Sequence, residues 1–307
     1  MNNGFCVILT KDRLYQGIAL YRSLIHNVKA MKFNMYILCI DEDAYSILKQ
    51  LNLVDTTVFH ISEIAEESLI QKKIERRANE FCWTMKPVFL QFILDRYPHI
   101  DRVTYLDADL CFFSDPAAIF FDAPHADILL TIHDFVDHLR HAENDCGRYN
   151  SGFISFRRSP TSENCLRWWK ENCLIWCYDR TENGKFGDQK YLDLMPHIFS
   201  GVSEIKTPGV NIAPWNQSKF KFSIQNSSVY VNNSPLIFYH FCGLRIVNSA
   251  QIALTLTESS LISIIHTPYF HILNDIINSI SAIRPGFQGY FIEEGRVAVA
   301  KYYPLKM

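Results

Sequence analysis

A chain of 307 residues, 48% hydrophobic, 14% aromatic and 20% charged, is long and apolar enough to bury a large core as one α/β domain or two closely packed ones. A formal net charge of -2 gives no support for a nucleic-acid binder, whose footprint would be a basic patch or stripe, and no stretch is apolar for long enough to cross a bilayer. Nine cysteines, odd in number and mostly in apolar segments, argue against a disulfide framework. With no leader-like amino terminus, a reduced, cytoplasmic setting fits best.

Phe5 to Thr10 reads as a buried strand, Thr10-Lys11-Asp12 as the turn leaving it, and Leu14, Ile18, Tyr21 and Ile25 recur at helical spacing. This strand, turn and helix suggest the opening of a Rossmann-like unit, yet no Gly-x-Gly-x-x-Gly follows the strand, so a dinucleotide bound in the usual manner is not expected. Tyr15 lies one turn into the helix, where stacking on a base and ordinary core packing are equally open. Asn34 to Ile40 and Val54 to Phe59 are further strand candidates, and residues 62–77 read as a surface helix. Lys86-Pro87 reads as the first turn of an apolar helix carrying Phe89, Phe92 and Ile93. There Lys86 would meet a phosphate or a sugar hydroxyl, or simply be solvated.

Arg102 to Phe113 carries the most pointed chemistry: a short β-branched and aromatic run, Asp107-Ala108-Asp109, then a second apolar run. Acids at the C-terminal end of such a strand stand where open α/β sheets hold ligands, and at period two both carboxylates share one face. That pairing is costly unless a cation lies beside it, and oxygen ligands favour Mg²⁺ or Mn²⁺. Ile128 to Ile132 is another strand, after which His133, His138 and His141 read as surface histidines. Tyr149-Asn150-Ser151-Gly152-Phe153 sets a polar step before a strand, and Gly152 would let a ligand approach closely. Ser159-Pro160 opens a helix with Leu166, Trp169, Cys173 and Trp176 as its buried stripe; Cys173 and Cys177 are four apart but lack the spacing of a zinc site. Asp188 caps a helix or, with Gln189, grips sugar hydroxyls. Residues 208–216 suit a cleft wall. His240 follows an apolar run and is either structural or the third ligand of a site begun by Asp107 and Asp109.

Taken in order over residues 4 to 245, these motifs resemble the nucleotide-diphospho-sugar transferases of the GT-A fold, especially the family 8 glycosyltransferases and their bacterial surface-polysaccharide relatives. The resemblance implies an α/β GT-A fold, a central mixed but mostly parallel sheet flanked by helices, over residues 1–247, with a mostly helical extension at 248–307. It implies retaining transfer from a nucleotide sugar, most often a UDP-sugar, to a hydroxyl of a glycan or lipid-linked acceptor. Asp107, Asp109 and His240 would hold Mn²⁺ or Mg²⁺. Thr10 and Tyr15 would form the nucleotide wall, and Lys86, Asp107, Ala108, Asp109 and Asn150 would contact the donor. Asp188 and Gln189 would stand at the reacting centre. Where relatives continue from Gly into Lys-Pro-Trp, this chain has Gly243 and then Leu244-Arg245-Ile246-Val247, so Arg245 would replace the phosphate-contacting lysine.

The apolar spacing from Ser249 to Ile283 reads as largely helical, with a small strand near Val297 to Ala300. This tail suits a cleft cover, a subunit contact or a seat on a membrane surface, which would put the protein on the inner face of the cell membrane. Two other readings remain: a metal-dependent nucleotidyltransferase or pyrophosphatase, and a carbohydrate-binding or scaffold protein with an inactive site.

Overall fold

A computed structural model describes residues 2–64, 67–255, 261–292 and 300–305. Its centre is a seven-stranded sheet built from β1 (Asn2–Leu9), β2 (Lys32–Cys39), β3 (Thr56–His60), β4 (Arg102–Leu106), β6 (Ile128–Ile132), β7 (Tyr149–Arg157) and β8 (Val202–Glu204); the short β5 (Leu110–Phe112) lies outside it. The order is β3-β2-β1-β4-β7-β6-β8, parallel throughout except for β7, which runs antiparallel to both neighbours. The C-terminal ends of β1, β4 and β6 and the N-terminal end of β7 therefore meet at one sheet edge. That edge is where the polar residues gather.

Burial on both faces explains the nearly uninterrupted apolar run of β1. Phe5, Val7 and Leu9 belong to one core layer, while Cys6 and Ile8 belong to the other, as the two-residue period of a strand requires. The first layer receives α1 (Leu14–Asn27), and the second receives α4 (Ala78–Arg96) and α7 (Pro160–Ile175). Between α1 and α4, α2 (Glu42–Leu51) follows β2 and α3 (Glu67–Glu75) follows β3; α5 (Ala117–Asp122) and α6 (Ala142–Cys146) precede α7. The Ser159 side chain accepts from the Ser162 N–H and Pro160 opens α7, as the sequence indicates.

Two local expectations change. α4 begins at Ala78, nine residues before Pro87, because Glu80 reaches back to the Arg77 N–H at 2.8 Å and starts the helix early. Pro87 is thus inside the helix, and Lys86 projects from its middle rather than from its first turn. The segment after Ser249 is not helical from its start. Gln251–Thr255 forms a strand, because it completes a small antiparallel sheet with Arg245–Ile246 and Ala300–Pro304. Thr267–Ile283 is helical, and its Phe270, Leu273 and Ile276 join the same core layer as α1. The extension is thus packed into the body of the fold. The strand expected near Val297 lies largely outside the described residues.

All nine cysteines are free thiols, and Cys173 and Cys177 are fully buried. Among the described residues no helix is long and apolar enough to cross a membrane.

Candidate functional site

β4 ends at Leu106, and the Asp107 N–H donates to the Gly152 carbonyl at 2.8 Å, tying the first acid to the start of β7. The chain turns through Ala108 and re-enters as β5, which pairs antiparallel with Phe238–His240 so that His240 stands opposite Leu110. The Phe241 N–H donates to the Asp109 carbonyl at 2.7 Å and locks that register. A remote histidine is thereby delivered to the acids: His240 Nε2 is 3.0 Å from Asp109 Oδ1 and 4.0 Å from Asp107 Oδ2. One ligand atom from each of Asp107, Asp109 and His240 lies within 4.8 Å of the others, the only such group among the described residues. Two carboxylates and an imidazole at that spacing fit a hard or borderline divalent cation, Mn²⁺ or Mg²⁺.

The charges around this trio are ordered. Burial opposes the Asp109 charge, but His240, Arg13 and Arg245 hold its carboxyl well below the usual carboxylate range. Burial likewise opposes the His240 charge, and Asp109 overcomes it and holds the imidazole above its ordinary value. Arg13, whose Nη1 is 4.0 Å from Asp109 Oδ2, lines the cleft with Thr10, Trp83, Lys86 and the Asp107-Ala108-Asp109 turn.

Lys86 joins this trio to Ser151 and Asp188. Its ammonium lies 3.1 Å from Asp107 Oδ1 and 3.4 Å from Asp188 Oδ2, and it donates to Ser151 Oγ at 2.9 Å. Burial works against that charge, yet Asp107 and Asp188 raise Lys86 above its ordinary value. Asp188 is held high by burial, with Lys86 pulling the other way. It does not cap the helical turn that follows it; instead its carbonyl accepts from the indole N–H of fully buried Trp169 at 2.8 Å, so the helix α7 core fixes its backbone. Beside it, Gln189 Oε1 accepts from the Ser151 N–H and from Asn150 Nδ2, both at 3.2 Å. Gly152 closes the group: a β-carbon there would come within 3.0 Å of Asn150 Oδ1, His240 Cε1 and Asp107 Oδ2.

The fold thus brings together Thr10, Lys86, Asp107, Ala108, Asp109, Asn150, Asp188, Gln189 and His240. Tyr15 is placed differently from the nucleotide wall expected of it. Its ring is fully enclosed, edge-on to Tyr290 of the tail at 6.0 Å, and does not line the cleft. Gly243 takes a φ of +81° in the turn after His240, and Arg245 stands half-buried beside Arg13, which together with burial lowers its pKa. His133 is buried rather than a surface residue, whereas His138 and His141 are exposed. Sequence analysis gave no role of their own to Arg13 and Ser151 and read His133 as a surface residue. Each follows or begins a strand at the polar edge, the same positional signal that singled out Asp107.

An acid-acid-histidine trio beside a buried lysine, at the carboxyl edge of a mostly parallel sheet, stands where open α/β sheets hold their ligands. Comparison with known proteins gives its class. The nucleotide-diphospho-sugar transferase family profile matches residues 32–229, and the chain belongs to that family. It is 39% identical over 298 residues to the protein YfnF of Bacillus subtilis (strain 168), covering 94% of this chain and 98% of that one. It is 30% identical over 299 residues to YfnD of the same organism, covering 95% and 96%. Among solved structures, the galactosyltransferase LgtC in complex with donor and acceptor sugar analogues superposes with a TM-score of 0.53 at 12% identity, covering 90% of this chain and 96% of that one. The protein is a glycosyltransferase with the GT-A fold.

Proposed function

We propose that the chain moves a sugar from a nucleotide-diphosphate donor, a UDP-sugar, to a hydroxyl of a glycan or lipid-linked acceptor, with a divalent cation and with retention at the anomeric carbon. The observation that carries this reading is the convergence of Asp107, Asp109 and His240 on one point, with the Lys86 ammonium 3.1 Å from the first of them. Those three side chains would hold Mn²⁺ or Mg²⁺, which when bound would supply positive charge against the leaving diphosphate. Lys86 and Arg13 add fixed positive charge at the same cleft, where it is worth most as the glycosidic bond breaks. Asn150 and Gln189, held by each other and by Ser151, would face the sugar.

Asp188 is 2% exposed and paired with Lys86 at 3.4 Å, which suits an electrostatic role better than attack on the anomeric carbon. Attack by the acceptor hydroxyl on the face the diphosphate leaves, with the leaving phosphate taking the proton, is the retaining route this arrangement favours. LgtC, the galactosyltransferase of similar fold, was solved with donor and acceptor sugar analogues, which supports a two-substrate reading here. The test is a panel of UDP-, GDP-, CDP- and dTDP-sugars incubated with the full chain and Mn²⁺ or Mg²⁺, scoring released nucleoside diphosphate. Release from one donor class, abolished by EDTA, is expected. No release from any donor with either metal would contradict the reading.

A further inference from the structure

His133, immediately after β6, is 4% exposed, and none of the roles assigned so far uses it. Its ring is stacked on Phe135 at 4.6 Å and lies edge-on to Trp215 at 5.5 Å. Nδ1 sits 3.3 Å from the Arg148 carbonyl, and Nε2 sits 3.3 Å from Asn150 Nδ2. A carbonyl only accepts, so Nδ1 carries the proton and Nε2 is a bare acceptor. Burial pushes the imidazole down to about 4, with the Arg148 carbonyl acting against it and His240 adding to it. Burial therefore favours the neutral ring.

A bare Nε2 matches the amides beyond it, whose orientation the Gly152 and Ser151 N–H groups and the Cys146 carbonyl also set. Asn150 must turn its NH₂ to His133 and its Oδ1 to the Gly152 N–H, 3.1 Å away. The same NH₂ donates to Gln189 Oε1, which also accepts from the Ser151 N–H, and Gln189 Nε2 donates to the Cys146 carbonyl at 2.8 Å. Both lone pairs of the Gln189 oxygen are then engaged, and one of its N–H groups is left over.

We propose that His133 is a positioning residue whose Nε2, acting through Asn150, holds Gln189 firmly in the orientation its main-chain partners set, so that it offers the donor sugar an N–H and withholds its carbonyl oxygen. The reading rests on the transferase function above and deepens it. Gln189 then serves as a hydrogen-bond donor to a sugar oxygen and is not available as a nucleophile. The Nε2 nitrogen does not hold the loop in place. The His133 main chain does that, its carbonyl accepting from Trp215 Nε1 at 2.8 Å and Asn216 Nδ2 at 2.9 Å and its N–H donating to the Arg148 carbonyl at 3.0 Å. His133→Phe thus keeps the ring packing and removes the Nε2 acceptor together with the Nδ1–H, whose carbonyl partner at Arg148 keeps the His133 main-chain N–H.

The experiment has two arms on the full chain. In ¹⁵N-histidine NMR from pH 5 to 8, His133 is expected as the neutral Nδ1–H tautomer; an imidazolium or an Nε2–H tautomer overturns the proposal, whatever becomes of the donor assignment. In the second arm, UDP binding with Mn²⁺ and turnover of the donor found in the panel are compared across His133→Phe, His133→Gln, Asn150→Ala and the double variant His133→Phe/Asn150→Ala. His133→Phe is expected to leave the UDP Kd within about twofold and to lower kcat on the order of tenfold to a hundredfold, the scale of a misoriented contact in the transition state. His133→Gln, which returns an acceptor near Nε2, recovers most of that loss, and His133→Phe costs little more when Asn150 is already Ala. Unchanged turnover in His133→Phe, additive losses, or an equal loss of UDP binding would each overturn it. Absence of turnover in the unaltered chain refutes the transferase reading and leaves the NMR arm to decide this one.

Discussion

Lys86→Met removes a buried cation and keeps the stem, and the structure sets the size of the effect. Two carboxylates lose their partner, but unequally: the Asp107 side chain is 26% exposed and can be hydrated, whereas that of Asp188 is 3% exposed and cannot. Removing one member of a buried ion pair typically costs about 3–5 kcal/mol. A ceiling also applies, because Asp188 can escape by taking a proton. Holding a proton at pH 7 on a group of ordinary pKa ~3.9 costs about 4 kcal/mol, at about 1.4 kcal/mol per pH unit. The variant is therefore less stable by about 3–4 kcal/mol at pH 7 and by only about 1.5 kcal/mol at pH 5. The sign follows from an Asp188 pKa pushed further up in the folded variant, so its deficit grows as pH rises above the unfolded value. Urea unfolding of both proteins at the two pH values reads this directly, and Asp188→Asn placed on Lys86→Met should restore stability to within ~1 kcal/mol. A deficit below ~1 kcal/mol at pH 7, or one independent of pH, would refute the electrostatic account of this centre.

Two further substitutions test neighbouring parts. Gly152→Ala inserts a methyl within 3.0 Å of Asn150, His240 and Asp107, side chains whose positions are fixed by their own partners, so Mn²⁺ affinity measured by calorimetry should fall at least about tenfold; unaltered affinity would mean the trio is looser than drawn. Glu80→Gln weakens the bonds from Glu80 to the Asp179 and Arg77 N–H groups at 3.0 and 2.8 Å. Those bonds and the Arg77 guanidinium outweigh burial and hold Glu80 below its ordinary value. Its contribution is complete above the unfolded pKa of ~4.3 and is lost as pH falls through the lower folded value. The variant should lose about 1–3 kcal/mol at pH 7, with a gap to wild type that holds down to about pH 4 and narrows below it in urea titrations; a gap that stays constant well below about pH 4 would show that its charge does not matter.

The alternation of Phe5 to Leu9 and the apolar flanks of Asp107 and Asp109 made the sheet and its polar edge legible in the sequence, because strand period and burial are local properties. Capped starts such as Ser159-Pro160 were legible for the same reason. What sequence could not place depends on pairing between distant segments. Sequence left His240 open between a structural residue and a third ligand, and only the register shared by β5 and Phe238–His240 carries it to the acids. Gln251–Thr255 reads as helix until its partner strands at Arg245–Ile246 and Ala300–Pro304 are known. Tyr15 carries the spacing of a cleft residue, yet Tyr290, far along the chain, covers it. His133 sits among charged neighbours in sequence and becomes a buried hub only once Trp215 and Arg148 fold over it.

The central claim is that Asp107, Asp109 and His240 hold a divalent cation that in turn holds the donor's diphosphate. Isothermal titration of UDP into the protein with and without Mn²⁺, repeated on Asp109→Ala, tests it most directly. The account predicts binding that requires Mn²⁺ in the native chain and disappears in the variant. UDP binding of equal strength without metal, or undiminished in Asp109→Ala, would contradict it.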